Sequence, residues 1–418
     1  MPDETVKEEA EWKPRIRPVE AFPVESRGKR LILLRDASGI APGQAVLSPA
    51  AFFVAARFDG AHGVRDIQEE FLRESGEILF TEKIREIADQ LDKAYLLDSN
   101  RFAQHLRNLK KDFSALAVRP ASSAGTAYEA DPEKLGPWLD ALFEPPDGPG
   151  RPVPGSRAEP LRALAAPHVD LMRGGAVYAH AWKAAAEGPA PDCVVILGTA
   201  HFGQAEPLFI ATDKAFATPL GESPADAPVI EGLRRRLGDG IFEEEFTHAR
   251  EHSVEFQVLM AQKAFGAGIP IVPVLACSFH EFVGSGKEPG EDPRVRGFVE
   301  ALRESLAEAG RKALLVASAD LSHVGPRFGD ERRSDAAVMN GVRQSDAGAL
   351  RNVCAMDAAG FFARIRQTND RTRICGTACL YTLLCLLEGS GLRGVLRKHA
   401  STVDETGSAV TFAAITFE

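Results

Sequence analysis

Four apolar, β-branched runs of this sequence end in side chains that can hold a metal or carry a proton. LRALAA (Leu161 to Ala166) runs into PHVD with His168, and DCVVILG (Asp192 to Gly198) runs into TAH with His201. IPIVPVLA (Ile269 to Ala276) ends at Cys277, and KALLVASA (Lys312 to Ala319) runs into DLSH with Asp320 and His323. Histidine is the commonest transition-metal ligand and titrates near neutral pH. A single histidine at a strand end is ordinarily satisfied by a backbone carbonyl. Three together with an aspartate point to a metal or proton-transfer site. Eight of the ten histidines lie from His168 onward, so this chemistry belongs to the later part of the chain. Cys375, in RICGTACLYTLLCLLE, stands ahead of a strongly apolar helix, whose positive end favours thiolate over thiol. It reads as a ligand or a reactive thiol. Cys193, Cys379 and Cys385 read as small buried hydrophobes, as does Cys277, less plainly because it sits at a strand end.

A competing constellation is HAREHSVEFQVLMAQKAF, where His248, Glu251 and His252 follow the H-x-x-E-H order of inverted zinc peptidases. On one helix the two imidazoles would share a face, with Glu251 as general base. The motif is short, and it leaves His168, His201 and Asp320 without a purpose, so it ranks below the strand-end site.

The elements that position these residues follow from the pattern. Buried runs alternate with helical stretches such as AVYAHAWKAAAE and VRGFVEALRESLAEAG, which predicts an α/β fold with a central, mostly parallel sheet flanked by helices. In such sheets the carboxyl ends of the strands form the ligand crevice, so their side chains converge however distant they are in sequence. The preceding part reads as a polar leader (1–27), a small α+β domain (28–103) and a linker (104–116) before the α/β domain (117–418). Within the small domain Val64, Ile67 and Phe71 have helical spacing after a Gly-rich turn. Thr81 is placed to cap a second helix with Ile84, Ile87, Leu91 and Leu96 along one side. This order of strands, DG turn and two helices resembles the PqqD-like winged-helix module, which grips peptides or partner proteins.

Composition narrows the function classes. With 418 residues the chain is long for one domain, and a net charge of -10, from 59 acidic against 49 basic residues, opposes nucleic-acid binding. The polar start and the lack of a long apolar run predict no signal peptide and no membrane span, hence a cytoplasmic protein. Six cysteines without a CxxC pair predict thiols or ligands and no disulfide framework.

Taken in order, AGTAYEADPEKL, APHVDLMRGGAVYAHAW, VVILGTAHFG, ATPLGE, HAREHSVEFQ, IVPVLAC, VASADLSH and ICGTACLYTLL resemble the MEMO family, known in bacteria and archaea as AmmeMemoRadiSam system protein B. The resemblance covers roughly 117–418. It implies a fold similar to the class III extradiol dioxygenases and a metal pocket formed by His168, His201 and Cys375, with His252, Asp320 and His323 lining it. Asp170, Leu171, Met172, Arg173 and Gly174 depart from the commoner family form, which implies a more charged wall. Two imidazoles and a thiolate suit copper or iron, or else zinc, and are too soft for magnesium or calcium. By analogy His252 or His323 would act as acid or base, with Asp320 orienting an imidazole. The implied functions are a metal-dependent oxidoreductase-type enzyme acting on a small molecule or peptide beside radical-SAM and AMMECR-type proteins, or a non-catalytic scaffold that uses the pocket and the N-terminal module for recognition. The zinc peptidase is the third alternative.

Overall fold

The computed structural model describes residues 12–203 and 206–418. The chain divides into two compact units, the first ending at Ala115 and the second beginning at Leu116.

In the first unit β1 (Glu20–Ser26), β2 (Lys29–Arg35) and β3 (Gln44–Leu47) form an antiparallel sheet, so part of the expected polar leader is a strand; residues 1–11 lie outside the described residues. Helices α1 (Pro49–Ala55), α2 (Val64–Ser75), α3 (Thr81–Lys93) and α4 (Asn100–Ser114) follow. Leu34, Leu47, Phe58, Ile67, Ile84, Leu91 and Leu96 are buried in one core. Asp59 and Gly60 make the expected turn: Asp59 accepts from the amides of Ala61 and His62, and Gly60 has φ +82°, a conformation that costs glycine little. Two expectations are corrected. Thr81 is the first residue of α3 rather than its cap, which is Phe80. The stretch 104–114 is helix rather than linker, because Ser99 accepts from Phe102 N and starts α4, which buries Phe102 and Phe113 under a basic surface.

The second unit is built on an eight-stranded sheet. Its middle is four parallel strands, β5 (Ala163–Ala166), β6 (Cys193–Thr199), β10 (Ile271–Ala276) and β11 (Ala313–Ser318), in the order β5-β11-β6-β10. Antiparallel strands flank them: β7 (Phe209–Ala211) beside β10, and β14 (Ala409–Phe417) beside β5. β14 in turn pairs β13 (Gly394–Val403) and β12 (Asp320–Val324). β4 (Val118–Arg119), β8 (Ala215–Thr218) and β9 (Gly221–Ser223) form a small separate sheet.

The central strands are buried on both faces, and their period of two sorts them between two cores. Val195, Leu197, Val274, Leu315 and Ala317 face one, while Val194, Ile196, Leu275, Leu314 and Val316 face the other. The second core is closed by α6 (Leu171–Ala186), through Tyr178 and Trp182, and by α8 (His252–Phe265), through Phe256 and Leu259; α5 (Pro132–Ala141) adds Leu135 and Leu139. The first is closed by α7 (Ala227–Leu237), α9 (His280–Ser285), α10 (Pro293–Glu308), α12 (Ala358–Gln367) and α13 (Thr377–Leu386). Helix α11 (Ala336–Cys354) precedes α12. Expected and observed fold class agree: a mostly parallel central sheet flanked by helices, with a small antiparallel sheet in the N-terminal unit. DLSHV, read as the end of the fourth run, is a separate short strand, β12, held against β14.

Candidate metal site

Strand order brings the site together. β11 lies between β5 and β6, so His168 leaves one neighbour, His201 leaves the other, and Asp320 follows the strand between them. The rings of His168 and His201 meet edge to face at 4.9 Å, and that of His252, the first residue of α8, stacks on His201 at 4.8 Å. Cys375 arrives from the loop before α13. Its backbone is drawn in by Gly376, whose amide donates to the Asp320 carbonyl at 3.1 Å. A Cβ on Gly376 would lie 2.4 Å from Ala319 Cβ and 2.7 Å from Asp320 O, so only glycine permits this approach.

Each ligand candidate is oriented by a fixed partner. His168 Nδ1 is 3.0 Å from the Ser318 carbonyl, which makes it the donor and leaves Nε2 as the acceptor, 3.1 Å from Cys375 Sγ. The His168 amide donates to Asp320 Oδ1 at 2.9 Å. His201 donates twice to Glu251, from its amide at 2.9 Å and from Nδ1 at 3.0 Å, which turns its Nε2 outward as a lone pair. His323 Nδ1 is tied to the Leu321 carbonyl at 3.0 Å, and its ring stands edge-on to Phe328 at 5.0 Å. One ligand atom from each of His168, His201 and Cys375 lies within 4.8 Å of the others, and the same holds for Asp320, His323 and Cys375, and for His201, Glu251 and His252. The structure thus brings all six sequence-predicted residues to one place.

Burial sets the electrostatics. It drives the His168 pKa down to about 3, helped by the charge of His201, and the His252 pKa to about 4. Burial also lowers His323. Burial opposes the charged form of His201 too, but the charge and hydrogen bonds of Glu251 outweigh it and raise its pKa. Glu251, against its own desolvation, is held well below the carboxylate range by His201. Asp320 is raised by burial. Cys375 is pushed well above an ordinary thiol by burial and by Asp320, which corrects the expectation that the helix end alone favours thiolate: desolvation outweighs the dipole. A cation among these donors would reverse that balance, because a coordinated thiol is deprotonated. The donor set of soft thiolate and oriented imidazoles fits a transition metal.

The H-x-x-E-H reading is not built. His248 lies in a separate 3-10 segment, Glu245–Ala249, fully buried with Nε2 3.0 Å from the Ile210 carbonyl, while His252 opens α8. Glu251 caps α8 by accepting from Ser253 N and is spent on His201, so it is a positioning residue rather than a free base.

Residues that the strand-end pattern passed over complete the support. Buried Arg119 pairs with Glu255 and donates to the carbonyls of His248 and Glu251, which fixes the turn into α8. Gln257 donates to the Pro167 carbonyl at 2.7 Å and to Ser318 Oγ at 3.0 Å, anchoring the approach to His168. Glu251, Glu255 and Gln257 stand one, three and five residues from His252, which is the one signal the sequence offered. A cavity of about 320 Å³ opens beside the cluster, lined among others by His201, Cys277, Phe279, His323, Arg373 and Cys375. Cys277, one of the doubtful cysteines, therefore faces the cavity, and its thiol is pushed up to about 12 by burial.

The fold and site define an α/β protein that gathers imidazoles and a thiol at the carboxyl ends of its parallel strands. Comparison with known proteins gives the family. The chain belongs to the Memo-like protein family, whose model matches residues 119–416. A MEMO1 family protein of Aquifex aeolicus is 25% identical over 407 residues, covering 97% of this chain and 100% of that protein. One from Methanopyrus kandleri is 29% identical over 306 residues (72% of this chain, 98% of that protein), and one from Sulfolobus acidocaldarius 29% identical over 311 residues (72% and 99%). Among the described residues no helix is long and apolar enough to cross a membrane.

Proposed function

We propose that this protein is a metal-dependent enzyme of oxidoreductase type, with the ion held by His168, His201 and Cys375. The observation that supports this reading is the convergence of their ligand atoms within 4.8 Å, with both imidazoles locked through Nδ1 so that Nε2 is offered. Copper or iron suits the donor set best and zinc is the alternative. A bound copper or iron ion would supply electron transfer to or from a molecule in the adjoining cavity. His323 lines that cavity, is neutral near pH 7, and can accept a proton at Nε2 because Nδ1 is committed to Leu321 O. His252 is not among the residues that line the cavity, so His323 is the better acid or base. Asp320 positions His168 through the amide. The N-terminal unit is proposed to act as a PqqD-like module that recruits a peptide or partner. Radical-SAM and AMMECR-type proteins are the partners that family resemblance suggests, and a cytoplasmic site of action follows from the same reading.

The test is the electronic absorption of full-length protein loaded with Cu(II) or Fe(II). A thiolate-to-metal charge-transfer band that disappears in Cys375→Ser supports the reading. A Cys375→Ser spectrum identical to wild type, or no binding of either ion, refutes it in favour of the scaffold.

A further inference from the structure

The cavity beside the cluster carries a recognition element that the metal ligands do not explain. Its wall is largely apolar, with Phe279, Val283, Phe328, Ile365 and Ile374, and Arg373 is set into it. The Arg373 guanidinium donates from Nε to the His323 carbonyl at 3.0 Å and from Nη2 to Asp330 Oδ2 at 2.5 Å. These contacts use one edge of the fork, and Nη1 has no hydrogen-bond partner among the described residues. A planar guanidinium held along one edge still presents a second, bidentate edge of fixed geometry for an anion.

The loop that carries Arg373 is held in an unfavourable conformation. Asn369, Asp370 and Arg373 have φ of 50°, 46° and 54°, in the left-handed region that side chains rarely adopt. Such residues persist where their surroundings over-determine them. Here Arg373 N donates to Asp370 O at 2.8 Å, Ile374 N to Asp370 Oδ1 at 3.0 Å, and His323 N to Thr372 O at 2.7 Å. Asp370, which also lines the cavity, thereby commits Oδ1 to the loop, and Arg373 is the one guanidinium among the lining residues. The same short loop delivers Cys375, so the cation and the cluster stand at fixed positions around one cavity. Its volume of about 320 Å³ is at the small end for ligand pockets, which suits a molecule of one ring or similar size.

We propose that the cavity binds a small apolar carboxylate of single-ring size, its carboxylate on the second edge of Arg373 and its body against Phe279, Phe328 and Ile374. This deepens the preceding reading by naming the ligand class for the same cavity, and it makes Arg373 a specificity-determining residue.

Benzoate and its neutral near-isostere benzamide are the probes, titrated calorimetrically into full-length protein in metal-free and metal-loaded forms, alongside Arg373→Ala and Arg373→Lys. Wild type should prefer benzoate by about tenfold or more, as expected for a charge-assisted bidentate contact. Arg373→Ala should lose that preference with benzamide binding unchanged, and Arg373→Lys should keep part of it. Metal content should be the same in all three proteins. Equal binding of the two probes by wild type, no binding of benzoate, or benzoate binding indifferent to Arg373→Ala would overturn the proposal, including the case in which benzoate binds only through the metal. If Arg373→Ala fails to fold by circular dichroism, the wild-type preference and Arg373→Lys decide. An Arg373-dependent preference in a protein that takes up no metal would keep this inference while removing the redox reading; bound metal without the preference would do the reverse.

Discussion

Replacing Glu251 by glutamine removes one charge at a position with no exposed surface and tests how the site is held. Glu251 Oε2 accepts from His201 N at 2.9 Å, and Oε1 accepts from Ser253 N at 3.0 Å and His201 Nδ1 at 3.0 Å. Every partner is a donor, whereas glutamine offers one acceptor oxygen and one NH2. Whichever way the amide lies, a buried N–H faces another donor, at a cost of about 1–3 kcal/mol. If the NH2 faces the ring, His201 becomes the acceptor at Nδ1 and its proton moves to Nε2, the atom that must offer a lone pair. Loss of such an orienting partner lowers metal affinity by about 10–100-fold, or about 1.4–2.7 kcal/mol. Thermal unfolding of the metal-free protein reads the first term and competitive chelator titration the second. A variant that binds metal within about threefold of wild type would refute the orienting role.

Three further outcomes follow from the same geometry. His248 is buried neutral, its pKa lowered from 6.5 to about 4 by burial, so the unfolded chain takes up a proton below pH 6.5 while the native chain does not until about pH 4. Its contribution is full above pH 6.5 and is lost as pH falls through that window, by about 3 kcal/mol; urea denaturation across pH should show a shallower acid limb for His248→Gln, and an unchanged limb would contradict this. Gly376→Ala must displace Ala319 or the Asp320 carbonyl and should cost about 1–3 kcal/mol in a thermal melt while weakening metal binding through Cys375; a variant as stable as wild type would show that the approach is not tight. In metal-free protein at pH 7.5 the raised Cys375 thiol should react with iodoacetamide more slowly than a free cysteine, read by peptide mass spectrometry, and faster labelling would reinstate thiolate formation by the helix end.

The central sheet was legible because its four parallel strands are buried on both faces and therefore written as continuous apolar runs, and their ends pointed to His168, His201 and Asp320. β12 was not, since Ser322 and His323 interrupt its apolar pattern and its partner β14 lies near residue 410. Helix α4 was hidden by its basic surface, which reads locally as linker although Phe102 and Phe113 are buried. The role of Glu251 depends on a backbone amide fifty residues earlier, at His201, which no local motif can show. Cys375 was misjudged in protonation because a helix end is visible in sequence and the desolvation of a crevice is not. Arg373 carried no sequence signal beyond its place before Cys375.

Metal content by elemental mass spectrometry tests the central claim most directly, on protein purified without chelators or a polyhistidine tag, for wild type, His201→Ala, Cys375→Ser and His248→Gln. The account predicts near-stoichiometric copper or iron in wild type and His248→Gln, lost in His201→Ala and Cys375→Ser. Metal retained in both of those variants, lost in His248→Gln, or absent from all four proteins would contradict it.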